Sequence, residues 1–163
     1  MFKVKKSSPF FILISITILA LDQISKCIII HTVPQYGFLQ VINGFFNIVH
    51  VRNRGMVFGI MNSPEVSFGF YVLVIATLIT VILLLYWFTK LKEDEWHLRL
   101  GLSLILGGAF GNLIDRLRLR EVIDFLDFFI GPYHWPAFNI ADTALTVGTF
   151  WMAVSLLFFK KQV

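Results

Sequence analysis

The sequence predicts a mainly α-helical membrane protein, a bundle of four transmembrane helices. Three observations point there. Hydrophobic residues make up 57% of the chain and charged residues only 15%, where an ordinary soluble domain carries about a quarter charged. The mean hydropathy is +0.78. The apolar residues gather into runs at 10–30, 66–88, 98–116 and 141–159, each near the ~20 residues that cross a bilayer.

The first run follows Lys3, Lys5 and Lys6, as a signal peptide would. Its apolar part exceeds the ~7–15 residues of a signal h-region. It also holds Asp22 and Lys26 and no small-residue cleavage site follows, so a retained helix is expected. Residues 31–65 then carry turn signals at Pro34, Gly37, Asn43-Gly44 and Asn62 to Pro64. "FLQVI" and "FFNIVHV" flank Asn43-Gly44; aromatic and β-branched residues around an Asn-Gly turn read as a hairpin. The second run offers only Thr77 and Thr80 as polar groups and reads as a lipid-facing wall. "TKLKEDEWHLR" is a short charged connector. The third run reaches spanning length only by continuing through Asp115 and Arg116. Residues 117–140 are aromatic throughout, with Pro132 and Pro136, and suit the headgroup zone, where amphipathic rings are favoured. The fourth run completes one membrane-embedded domain over 1–163.

Four crossings put both termini on one side. That side carries Lys3, Lys5, Lys6, Lys90, Lys92, Arg99, Lys160 and Lys161, eight basic residues. The other carries five, Arg52, Arg54, Arg116, Arg118 and Arg120. The excess predicts cytoplasmic termini. The net charge of +4 is then a topology signal, and no nucleic-acid partner is expected. The lone Cys27 has His31 four residues on and nothing else to activate it; it reads as a small apolar filler.

Polar groups inside a membrane span are costly and mark function by default. Asp22 and Lys26 are four apart and share a helix face. Gly108, Asn112 and Asp115 share another, beside Arg116; Asp142, Thr146, Thr149 and Ala153 share a third. All three sets lie toward the outer helix ends and can meet at one depth. The plainer readings are ion pairs (Asp22 with Lys26, Asp115 with Arg116 or Arg118), close packing at Gly107-x-x-x-Gly111, and an N-cap role for Asp142. Asp124 and Asp127 are three apart; in an extended strand they point to opposite faces, and local pattern does not say which enters the pocket.

The histidines are scattered without H-E-x-x-H, G-x-S-x-G is absent, and so are the phosphate-loop and dinucleotide fingerprints. Paired carboxylates remain. Two held close cannot both ionise, so one keeps a proton; the ionised one activates water while the other polarises a carbonyl. This chemistry needs neither metal nor cofactor.

"DQISK" (Asp22 to Lys26), "RNRGMVFG" (Arg52 to Gly59), "GGAFGNLIDR" (Gly107 to Arg116), "VIDF" (Val122 to Phe125) and "FNIAD" (Phe138 to Asp142) occur in that order. Together they resemble the signature blocks of the bacterial lipoprotein signal peptidases, signal peptidase II. The resemblance implies four transmembrane helices, a small extracytoplasmic antiparallel β-sheet, and a membrane-surface helix or loop over the site. It implies removal of the signal peptide from diacylglyceryl-modified prolipoproteins, just before the lipidated cysteine. It carries the catalytic pair onto Asp124 and Asp142, in preference to Asp127. Supporting roles fall on Asp22, Lys26, Asn53, Gly55, Asn112, Arg116, Asn139 and Ala141, and the shared helix face adds Asp115. Two positions depart from the family pattern: Met56 stands where a small residue is usual, and Ile123 where valine is. The expected partners are the lipid-modified substrate and membrane lipid. The expected place is the inner membrane with the site near its outer face, in a monomer, since one chain holds a complete site. A proton-relay or transporter subunit, with a polar track continuing toward the cytoplasm, and a structural assembly factor are the rival readings.

Overall fold

A computed structural model describes residues 8–55 and 68–158. Met56, the turn at 62–64 and the start of the second apolar run lie outside the described residues. Four helices, α1 (Ser8–Thr32), α2 (Phe68–Lys90), α3 (Trp96–Leu119) and α4 (Ile140–Phe158), form the bundle. By length and composition each can cross a membrane. The third runs on past Asp115 and Arg116 to Leu119, where Arg120 turns left-handed (φ 61°) and its N–H returns to the Arg116 carbonyl.

The bundle is arranged around α3. Its spanning window is 67% buried against 11% for α2, because α3 packs on all three other helices. Small residues make this possible: a Cβ on Gly108 would collide with the Ala141 carbonyl of α4, and one on Gly111 would lie 2.5 Å from Asp22 Oδ2 of α1. Backbones that approach this closely gain dispersion contacts, the main source of helix association where lipid replaces water. Helix α2 lays Val81 against Leu106 and Ala109 and turns Ile75, Ile79, Ile82 and Leu83 outward. The Thr77 and Thr80 hydroxyls donate to their own helix, at the Leu73 and Ala76 carbonyls. It is the wall that its composition suggested.

A four-stranded antiparallel sheet, β1 (Phe38–Ile42), β2 (Phe46–Asn53), β3 (Val122–Ile130) and β4 (Tyr133–His134), runs in the order β1-β2-β3-β4. The β1–β2 turn is the expected Asn43-Gly44, with Gly44 at φ 74°, a region open to glycine at little cost. Strand β3 lies within the aromatic segment 117–140. It pairs with β2, Val51 opposite Asp124 and Asn47 opposite Asp127. Its Ile123 and Phe125 pack on Ile29 and Val33 at the end of α1. The sheet therefore closes the end of the bundle where α1 and α3 finish and α4 begins. Among the described residues no further helix lies over that end.

Candidate active site

The site is built from the centre of the bundle outward. Lys26 is 2% exposed, and its ammonium meets three oxygens: Asp22 Oδ2 at 2.8 Å, Asp115 Oδ2 at 2.7 Å and Asn112 Oδ1 at 3.1 Å. Three donors and three acceptors leave nothing unsatisfied, the condition under which a charge can be buried. The expected i, i+4 pair with Asp22 is present. The partner of Asp115 is not Arg116 or Arg118: the carboxylate turns inward to Lys26 of α1, whereas Arg118 stays exposed. Gln23, which sequence reasoning passed over, donates to Asp115 Oδ1 at 2.9 Å and to the Gly111 carbonyl. The "DQ" pair was the available signal, a second polar group beside a membrane aspartate.

Two short links carry this cluster to α4. Asp22 Oδ1 accepts the Ala141 N–H at 2.9 Å, satisfying one of the free donors at the helix start. Asn112 receives Lys26 on its oxygen, so its amide nitrogen faces the other way and donates to Asp142 Oδ1 at 2.8 Å. The helix cap is Asn139, not Asp142: Asn139 Oδ1 accepts the Asp142 N–H at 2.9 Å, and Asp142 Oδ2 accepts the Asn139 N–H at 3.3 Å. This reciprocal pair is a capping box, with the acid three residues into the motif.

Asn139 also reaches the sheet. Its amide nitrogen donates to Asp124 Oδ1 at 2.8 Å and, more loosely, to the Ile123 carbonyl and Asn112 Oδ1. From the other side Asn53 donates to Asp124 Oδ2 at 3.0 Å, while the Gly55 N–H holds the Asn53 oxygen at 3.0 Å. Gly55 thus acts through its backbone. Asp124 and Asp142 are joined through one asparagine. Burial pushes the Asp124 carboxyl up to about 7, and the Asp142 charge adds to that push; bonds from Asn53 and Asn139 and the charge of Lys26 act against it. Arg116 lies within the electrostatic reach of Asp142, Asp124 and Asp115 and makes no side-chain hydrogen bond among the described residues.

Asp127 belongs elsewhere. It lies on the opposite face of β3, taking Asn47 and His134 as partners. Thr146 and Thr149 do not line the site with Asp142: both are exposed, Thr146 donates back to the Asp142 carbonyl, and the buried stripe of α4 is Ala141, Ala144, Gly148, Met152 and Ser155. A second unforeseen cluster flanks the site, where buried Glu121 takes both Arg52 and Arg54. Cys27 is exposed, with His31 Nδ1 nearest its own backbone carbonyl at 2.7 Å.

The profile described as signal peptidase (SPase) II matches residues 14–158. The chain belongs to the signal peptidase II family. Relatives named lipoprotein signal peptidase include that of Oleidesulfovibrio alaskensis, 44% identical over 88% of this chain and 92% of its own. That of Syntrophus aciditrophicus is 40% identical over 97% and 98%. Two solved structures described as bacterial membrane enzymes superpose with TM-scores of 0.84 and 0.83. They are 36% and 34% identical, and cover 100% and 98% of this chain and 98% and 99% of theirs. The signal peptidase II family is a protease family, and the match makes this chain a multi-pass membrane protein of that fold.

Proposed function

We propose that this protein is an aspartyl endopeptidase that removes the signal peptide from diacylglyceryl-modified prolipoproteins, cutting before the lipidated cysteine. The supporting observation is that Asp124 and Asp142, on different elements, meet at Asn139, whose side-chain amide donates to the Asp124 carboxylate and whose backbone N–H donates to the Asp142 carboxylate. A pair so placed, with one carboxyl raised to about 7, keeps a single proton up to about neutral pH, and its titration belongs to the pair. Water between them gives a proton to the ionised carboxylate and attacks the scissile carbonyl, whose oxygen takes the proton of the other acid. Collapse of the tetrahedral intermediate breaks the C–N bond. The amine of the lipidated cysteine takes up a proton, and the signal peptide leaves as a carboxylic acid. Asn112, Asn53 and Asn139 orient the pair; Arg116 offers positive charge where oxyanion character develops. Lys26, Asp22 and Asp115 hold the three helices that carry them.

The substrate has two acyl chains and an apolar helix, so it stays in the bilayer. An acid pair at bilayer depth suits it. Expected with this reading are a single domain acting as a monomer in the inner membrane, cytoplasmic termini and a site near the outer face. A proton relay fits less well, because the buried polar groups of the other half of α3, Ser103 and Arg99, bond to backbone carbonyls.

The test is cleavage of a lipidated prolipoprotein by purified protein. Asp124→Asn and Asp142→Asn should each lose about 100-fold or more, and chelators should change nothing. Normal-rate processing by either variant would overturn the reading.

A further inference from the structure

The mechanism leaves two buried carboxylates unused, Glu121, which is neutralised by Arg52 and Arg54, and Asp127. Asp127 is 7% exposed, three residues from Asp124 and on the other face of β3. Its oxygens are both taken, Oδ2 by Asn47 Nδ2 at 3.1 Å and Oδ1 by His134 Nδ1 at 2.8 Å. The His134 ring also stacks on Phe129, 4.7 Å between centroids and 9° from parallel.

His134 stands beside a change of register. Strand β4 is two residues long, with Tyr133 opposite Ile130 and His134 opposite Phe129. The next pairing is Phe138 opposite Leu126, one residue out of step with the first two, so the returning chain holds an extra residue, a bulge. The Trp135 N–H bonds to the Phe128 carbonyl on one side of the slip. Pro136 has no N–H to give. Beyond it, the Phe138 carbonyl accepts from Phe125 and Leu126, and its N–H donates to Leu126. A slip of one residue turns the side chains that follow to the other face of a sheet. The residue that follows is Asn139, whose amide joins Asp124 to the start of α4.

We propose that His134 is a positioning residue for the catalytic pair: held by Asp127, it fixes the register of residues 135–139 and so keeps Asn139 on Asp124 and Asp142. The proposal rests on the aspartyl reading above. The tie acts through the loop and touches no reacting atom.

The test compares purified full-length wild type, His134→Ala, His134→Asn and Asp124→Asn on a lipidated prolipoprotein. Neither His134 variant carries an imidazole, so any difference between them is not histidine titration. Asparagine places an amide N–H close to where Nδ1 stands. His134→Ala should lower kcat by about 10-fold to 100-fold, the scale of a small misplacement at a catalytic centre, with KM little changed. It should also move the limb of the pH–rate profile near 7 to higher pH, because the Asn139 bond is one that holds the Asp124 carboxyl down against Asp142 and burial. His134→Asn should restore both. Wild-type kcat and profile in His134→Ala, or equal impairment in His134→Asn, would overturn the proposal. If His134→Ala shows no cooperative thermal transition, Asp127→Ala, which removes the acceptor, replaces it, and an unchanged profile there overturns the proposal equally. Undiminished cleavage by Asp124→Asn would instead overturn the aspartyl reading, whatever the His134 variants do.

Discussion

Lys26 is the residue on which the buried charges balance. Without it, Asp22 and Asp115 face each other inside the bundle with no direct ion-pair partner. Lys26→Met should therefore destabilise the protein by about 3–5 kcal/mol, the cost of leaving a buried charge unpaired; thermal unfolding in detergent measures it, and adding Asp115→Asn should recover part. Asp124 gives a second expectation. The pair works with one proton, and the raised carboxyl releases it as pH passes upward through about 7. Cleavage should fall on that alkaline side, and a rate that keeps rising to pH 9 would count against a shared proton. The spacing of Asp22 and Lys26 made their pairing legible in the sequence. The third member was not, because Asp115 has Arg116 and Arg118 beside it in the chain and Lys26 only across the helix interface. The helix cap was read onto Asp142 for a related reason: "FNIAD" offers both an asparagine and an aspartate, and only the backbone shows which of them starts the helix.

Among the elements, α3 is decided by its glycines. At Gly111 an added methyl would press on Asp22 Oδ2, whose partner oxygen holds the Ala141 N–H. Gly111→Ala should cost about 1–3 kcal/mol by overpacking and also reduce cleavage, because the start of α4 shifts with Asp22. Thermal unfolding and the cleavage assay together separate the two effects, and Thr80→Ala on the exposed side of α2 serves as the control expected to change neither. Three of the helices could be read from their apolar length alone, and α3 only by carrying its run through Asp115 and Arg116. The β1–β2 hairpin could be read because Asn43-Gly44 leaves few other conformations. Strand β3 could not: "VIDFLDFFI" is buried along most of its length, so it lacks the alternation that marks a half-exposed strand. The fourth helix misled in the opposite sense. Thr146 satisfies its hydroxyl on its own backbone and needs no polar neighbour.

For the molecule as a whole, the sheet caps the bundle end that carries the carboxylates, and β1 is exposed along its length with apolar Phe38, Leu39, Val41 and Ile42. That composition fits the headgroup boundary, where aromatic and aliphatic side chains meet partial hydration. Sidedness can be tested in cells with a Cys27→Ser background. A cysteine placed at Gly131 should react with an impermeant thiol reagent from outside, and one at Lys92 only after permeabilisation; the reverse pattern would invert the proposed topology. The capping box has a practical consequence for anyone wishing to trap a bound prolipoprotein. Asparagine 139 starts a helix as well as gripping both acids, so altering it risks losing the receptor along with the reaction. Neutralising Asp124 or Asp142 leaves the cap oxygen of Asn139 in place, and those amide variants are the ones in which an uncut ligand should stay seated long enough to be imaged.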